Sequence, residues 1–121
     1  MARIQASRFV LAVRDLKIST DYYVNVLGFT RDAIEAEGWS FLSRNTVLVM
    51  LGECRNEKPA SELGDHSYFA YWNADKVDEL YNEFLAKGAI LTSRPQNKPW
   101  GLREFSLRPP DGHRITCGQV L

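Results

Sequence analysis

The chain repeats itself, and that echo constrains its fold more than any other feature. Phe9-Val-Leu-Ala-Val-Arg-Asp15-Leu16, then Ser19 to Leu27, then Gly28-Phe29, reads as a strand, a helix and a glycine stop. The same order returns as Phe69-Ala-Tyr-Trp-Asn-Ala, Asp75 to Ala86, and Gly88-Ala-Ile. Leu16 falls on Val77, Ser19 on Leu80, Tyr23 on Phe84 and Val24 on Leu85, with the glycine one place off. Two copies of one supersecondary unit in 121 residues imply a cavity built from both copies, whose lining can be read by matching positions.

Each copy has its own periodicities. Ser7 to Arg14 alternates, with Phe9, Leu11 and Val13 on one face and Arg8, Val10 and Ala12 on the other, the mark of a strand between two environments. Asp15 or Ser19 caps the next helix, whose Tyr23, Val24 and Leu27 form a narrow apolar stripe before Gly28. Trp39 to Ser43 and Thr46 to Leu51 flank Arg44-Asn45 as a hairpin. Gly52 to Asp65 carries glycine, proline and charge without periodicity.

In the second copy His66 to Ala74 is a strand, and Val77, Leu80, Tyr81, Phe84 and Leu85 follow helical spacing. Ile90-Leu91 opens a strand and Ser93 to Pro99 a polar loop. Leu102 to Leu107 and Arg114 to Gln119 are strands joined by the turn Pro109-Pro110-Asp111-Gly112. Each unit is therefore β-α-β-β-β. The expected organisation is one α+β domain with modules over 4–52 and 66–120 and a linker over 53–65.

Fifteen basic and fifteen acidic side chains cancel, leaving no basic stripe for nucleic acid and no polybasic membrane patch. The longest apolar stretches are strand-sized and Met1-Ala-Arg-Ile-Gln5 lacks the apolar core of a signal peptide, so the expected setting is the cytoplasm. Cys54 and Cys117 lie far apart in sequence and are expected as free thiols. His113 reads as a solvated turn residue, and Cys117 as a small buried hydrophobe.

The module order, with Asp15-Leu16, Tyr22-Tyr23, Leu27-Gly28-Phe29, Pro99-Trp-Gly-Leu-Arg-Glu-Phe105 and Pro110-Asp-Gly-His113, resembles the vicinal-oxygen-chelate superfamily. That group includes glyoxalase I, extradiol dioxygenases, fosfomycin-resistance proteins and bleomycin-resistance proteins. The Pro-Trp-Gly-x-Arg-Glu-Phe run is most similar to the bleomycin-binding members. The resemblance implies two βαβββ modules whose mixed sheets curl around a cavity, in a homodimer. It fixes no single activity.

Enzymes of this superfamily hold a divalent metal with His, Gln or Glu from four strand positions. By the resemblance these positions fall on Arg8, Met50, Phe69 and Thr116, none of which suits the task. A guanidinium would also repel a dication. No metal, no other cofactor and no catalytic residue is therefore expected. His66 and Glu53 stay open as contributors to an unplaced metal site, and a metal-dependent lyase or dioxygenase is the rival function.

Parity leaves an aromatic and cationic lining: Arg8, Met50, Phe69, Tyr71, Arg114 and Thr116, with Trp39 and Trp100 at the rim and Arg103 near the pocket. Trp72 points instead to the core. For Trp39 and Trp100 the residues alone allow either ligand contact or core packing. The resemblance favours contact, because bleomycin-binding relatives stack planar rings on aromatics at matching positions. Those relatives are strongly acidic, whereas this chain is neutral, so an uncharged or anionic aromatic ligand is the better electrostatic match. The expected function is metal-free binding of a planar small molecule in a cavity at the dimer interface, by sequestration or transport.

Overall fold

The computed structural model describes residues 1–64 and 68–121, with Tyr68 described by its backbone only. It resolves into two compact units, Met1–Glu57 and Lys58–Leu121. The first contains β1 (Phe9–Val13), α1 (Leu16–Asn25), β2 (Thr30–Arg31), β3 (Trp39–Arg44) and β4 (Val47–Glu53). The second contains a 3₁₀ turn (Ala60–Glu62), β5 (Tyr68–Asn73), α2 (Val77–Ala86), β6 (Gln96–Asn97), β7 (Leu102–Leu107) and β8 (Arg114–Val120). Each is a βαβββ module whose mixed sheet has the first strand parallel to the last, in the orders β1-β4-β3-β2 and β5-β8-β7-β6.

Each sheet buries one face against its own helix. In module one Leu11, Val13, Leu42, Val49 and Leu51 are buried with Tyr23 and Leu27, and Tyr23 meets Phe29 edge-on at 5.4 Å. In module two Phe105, Leu107, Ile115 and Cys117 are buried with Val77 and Phe84. Phe105 takes the edges of Tyr81 and Phe84 at 5.3 and 6.2 Å. Trp72 is buried as expected, while its neighbour Tyr71 is 41% exposed on the other face.

Several sequence expectations need correcting. Asp15, not Ser19, caps α1: its carboxylate accepts the Ile18 amide at 3.0 Å, and Ser19 is buried inside the helix. The first hairpin turns one residue later than expected, with Asn45 at φ 51°, a left-handed value that asparagine tolerates. Gly52 and Glu53 close β4 rather than opening a linker. Ile90-Leu91 opens no strand; Leu91 makes an isolated bridge to Leu107, and the edge strand is Gln96–Asn97 inside the expected loop. Edge strands of two residues, β2 and β6, are too short to carry a period-two signal.

His113 is half-buried, not solvated. Residues expected to link the modules pack on its turn: the Ser61 amide donates to the Asp111 carbonyl at 2.9 Å, and Asp111 is 4% exposed. The His113 ring lies 6.1 Å from Phe69, edge to face. His66 lies outside the described residues.

Candidate functional site

The face of each sheet that points away from its helix carries the candidate residues. Strand registers make the two faces directly comparable. In module one Val10 pairs with Met50 and Ala12 with Gly52; in module two Tyr71 pairs with Thr116 and Asn73 with Gly118. Across the hairpins Trp39 pairs with Gly52 and Glu104 with Gly118. Met50 and Thr116 therefore occupy the same place in their modules.

In module one the centre of this face is apolar, with Arg8 at its edge. The Trp39 indole lies over Gly52, where a β-carbon would stand 2.9 Å from the ring. A strand glycine here marks close approach of a side chain to the backbone. Trp39, with Val10, Ala12 and Cys54 and with Glu37 and Glu53 among the other lining residues, borders a groove of about 450 Å³. Met50 sits beside Phe41, and the Arg8 guanidinium lies 5.6 Å from the Phe41 ring centre and 3.8 Å from the Asp32 carboxylate. Glu53, at the strand end, accepts from Arg55 Nε at 2.9 Å and from the Leu16 amide at 3.1 Å. The Arg55 contact first, then the Leu16 amide, lower the Glu53 carboxyl below its ordinary pKa. Its role here is to hold the start of α1.

In module two the same face is polar and aromatic. The Tyr71 phenol lies over Gly118, where any β-carbon would collide with its hydroxyl oxygen. Tyr71 donates to Glu104 Oε2 at 2.9 Å, and the Trp100 indole N–H donates to the same oxygen at 3.0 Å. The phenol pKa is pushed up to about 12, by burial first and then by the Glu104 carboxylate. Tyr71 therefore stays a hydrogen-bond donor through the physiological range. Trp100 is 63% exposed on the turn Lys98-Pro99-Trp100-Gly101, closed by the Gly101 amide donating to the Lys98 carbonyl at 3.1 Å. Gly101 sits at φ 85°, which only glycine adopts cheaply. Toward the start of β8, Ser106 and Thr116 pair through their hydroxyls at 3.0 Å, with Arg114 beyond them.

The structure thus brings Tyr71 and Trp100 together in module two, with Arg114 and Thr116 further along the same sheet. It places Arg8, Trp39 and Met50 on module one. Phe69 stands at a register shift between Tyr68 and Ala70, against His113. Arg103 does not join them. It shares parity with the buried Phe105 and Leu107, and its guanidinium pairs with Asp78 of α2 at 3.0 Å and with Asn97 at 3.0 Å. The alternation Arg103, Phe105, Leu107 against Leu102, Glu104, Ser106 was the signal that would have excluded Arg103 and found Glu104.

Arginine, methionine, phenylalanine and threonine at the four superfamily ligand positions do not fit a Ni, Zn, Fe or Mn centre, which takes imidazole and carboxylate donors. Among the described residues no three His, Cys, Asp or Glu side chains are grouped so as to hold a metal ion. Among the described residues, too, no helix is long and apolar enough to cross a membrane.

Residues 5–116 match the Glyoxalase/Bleomycin resistance protein/Dioxygenase superfamily. The chain belongs to this superfamily. Solved structures share its fold across nearly full length. TnmS3, an antibiotic-binding protein from Streptomyces sp. CB03234, is 24% identical with a TM-score of 0.79, covering 100% of this chain and 99% of that one. A bleomycin resistance determinant encoded on the transposon Tn5 is 22% identical with a TM-score of 0.79, covering 97% and 98%. TioX from Micromonospora sp. ML1 is 28% identical with a TM-score of 0.75, covering 97% and 99%. No curated protein matches the chain by sequence. Membership of this superfamily accounts for the paired βαβββ modules, and the side chains on their open faces then carry the question of function.

Proposed function

We propose that this superfamily member is a metal-independent small-molecule binder of the bleomycin-resistance-like type, which sequesters or carries a planar ligand rather than transforming it. The observation that carries this reading is Trp100, 63% exposed yet fixed by a hydrogen bond to Glu104 on an open sheet face. A large indole held still in solvent costs hydration without packing, and stacking on a planar ring repays that cost. Tyr71 over Gly118 and Trp39 over Gly52 supply further flat faces of the same kind. The antibiotic-binding and bleomycin-resistance proteins of the same fold support a small organic ligand. The chain's neutral balance, with Arg8 and Arg114 in the lining, favours an uncharged or anionic one.

The ligand cavity is completed in a homodimer. Val10 at 60%, Tyr71 at 41% and Trp39 at 36% exposure leave one face of each sheet uncovered, which a second copy would bury. Cys54 and Cys117, unbridged, suit a reducing cytoplasmic setting.

The test is native mass spectrometry of protein as isolated, followed by fluorescence titration of wild type and Trp100→Ala with the co-purified compound. The variant should bind about tenfold or more weakly, a loss of about 1.4 kcal/mol, with its melting temperature nearly unchanged. A large stability loss with unchanged affinity would show that Trp100 is a packing residue. One equivalent of bound transition metal in untagged protein, with an activity lost to chelators, would overturn the metal-independent reading. Sedimentation as a monomer at micromolar concentration would remove the dimer cavity.

A further inference from the structure

We propose that one end of the open face of module two is an oxyanion pocket, taking a carboxylate, sulfate or phosphate group. The cavity has a volume of about 270 Å³ and is lined by Leu107 and by the polar Thr92, Ser93, Ser106, Arg108, Arg114 and Thr116. Its walls are fixed by backbone. Residues 90–92 run antiparallel to the end of β7, with the Arg108 amide donating to the Ile90 carbonyl at 3.0 Å and the Thr92 amide to the Ser106 carbonyl at 2.9 Å. The Ser106 amide donates to Ser93 Oγ at 2.9 Å, which leaves the Ser93 proton free to point at a guest. Ser106 and Thr116 share one hydrogen bond between two hydroxyls, leaving one further O–H to donate.

The lining therefore offers hydroxyl donors and two permanently charged guanidinium groups, and among the described residues no carboxylate lines it. Donors converging with excess positive charge are matched by an anionic acceptor, and guanidinium binds planar or tetrahedral oxyanions in bidentate fashion. The pocket also has an orientation built in. Thr116 is the register partner of Tyr71, so a ring attached to the bound anion would lie beside the phenol. Glu104 pairs with Gly118, four residues along β8 from Arg114, roughly 13 Å at strand rise, and its carboxylate repels an anion at that end. The inference rests on the planar-ligand reading, which it sharpens: the ligand carries its negative group at the arginine end of the sheet.

The experiment is an NMR titration of ¹⁵N-labelled protein with 2-naphthoate, with its neutral isostere 2-naphthamide, and with sodium sulfate. Naphthoate should bind about tenfold more tightly than naphthamide, the contribution of charge-assisted hydrogen bonds to one anionic group. Sulfate should displace it and shift the Thr92, Ser106 and Thr116 amides saturably. Arg108→Gln and, separately, Thr92→Val should shrink the acid-over-amide preference severalfold and leave naphthamide affinity unchanged. Equal affinity for acid and amide, unmoved by either variant, would overturn the oxyanion pocket while leaving planar binding intact. Failure of naphthamide to bind would count against planar binding. Saturable sulfate shifts at these amides would then still support the pocket, and their absence would overturn it.

Discussion

The two modules share a backbone plan and a strand register, yet they solve the helix-sheet interface in opposite ways. The position that pairs with Leu51 in module one is Ser40, and its counterpart pairing with Cys117 in module two is Phe105. The helix residue facing each is Thr20 in one case and Tyr81 in the other. Module one therefore joins helix to sheet with a buried hydroxyl pair, Thr20 to Ser40 at 2.8 Å, where module two uses an aromatic pair at 5.3 Å. The open faces invert the pattern: Trp39, Phe41 and Met50 in module one stand against Tyr71, Glu104, Ser106 and Thr116 in module two. A duplicated frame thus tolerates exchange of apolar and polar character at matched positions, provided each buried polar group finds a partner.

The sharpest way to break this comparison is at the matched core pair. Phe105→Ala removes a fully buried ring with two aromatic neighbours and should cost about 3–5 kcal/mol, read as a large drop in the denaturation midpoint. Ser40→Ala should cost only about 1 kcal/mol, because the Thr20 hydroxyl can turn to a carbonyl of its own helix. Equal losses would mean that the hydroxyl pair anchors module one as firmly as the ring anchors module two.

The two covered glycines test the open faces. Gly118→Ala should expel the Tyr71 ring and Gly52→Ala should tilt Trp39, each changing stability by less than about 1 kcal/mol since the side chains can swing into solvent. The Trp39 change reads as a red-shifted emission. A loss of several kcal/mol in either variant would show that these aromatics are structural covers.

Glu104→Gln should lower the Tyr71 pKa from about 12 toward the ordinary 10, measured by phenolate absorbance across an alkaline titration. The sign follows from removing a negative charge that disfavours phenolate. An unchanged pKa would mean that burial alone raises it and that the Glu104 bond contributes little.

The smallest effect belongs to His113. Burial lowers its pKa below 6.5, against a weaker opposing pull from Asp111, so the fold prefers the neutral ring. Stability from this group is complete above pH 6.5 and is lost as pH falls through that value toward the depressed pKa of the folded state. His113→Gln should flatten the stability profile just below pH 6.5; an unchanged profile would assign the slope to other groups.

The repeat, the strand faces and the helices were legible in the sequence because each rests on local periodicity. Leu11 and Val13 against Val10 and Ala12, or Val77 and Phe84 along a helix, announce their burial by spacing alone. The same alternation would have assigned Arg103 to the helix side, had it outweighed the motif in which Arg103 stands. What only the tertiary structure decided are contacts that spacing does not encode. Glu104 gathers Tyr71 and Trp100 because Gly118, remote in sequence, leaves room for the phenol. The turn holding His113 is half-buried because residues near Ser61 fold back onto it. Local pattern fixes which face of an element is apolar, since burial follows the period of the backbone. Which polar groups meet on the remaining face depends on register between strands distant in sequence, and register is settled by packing.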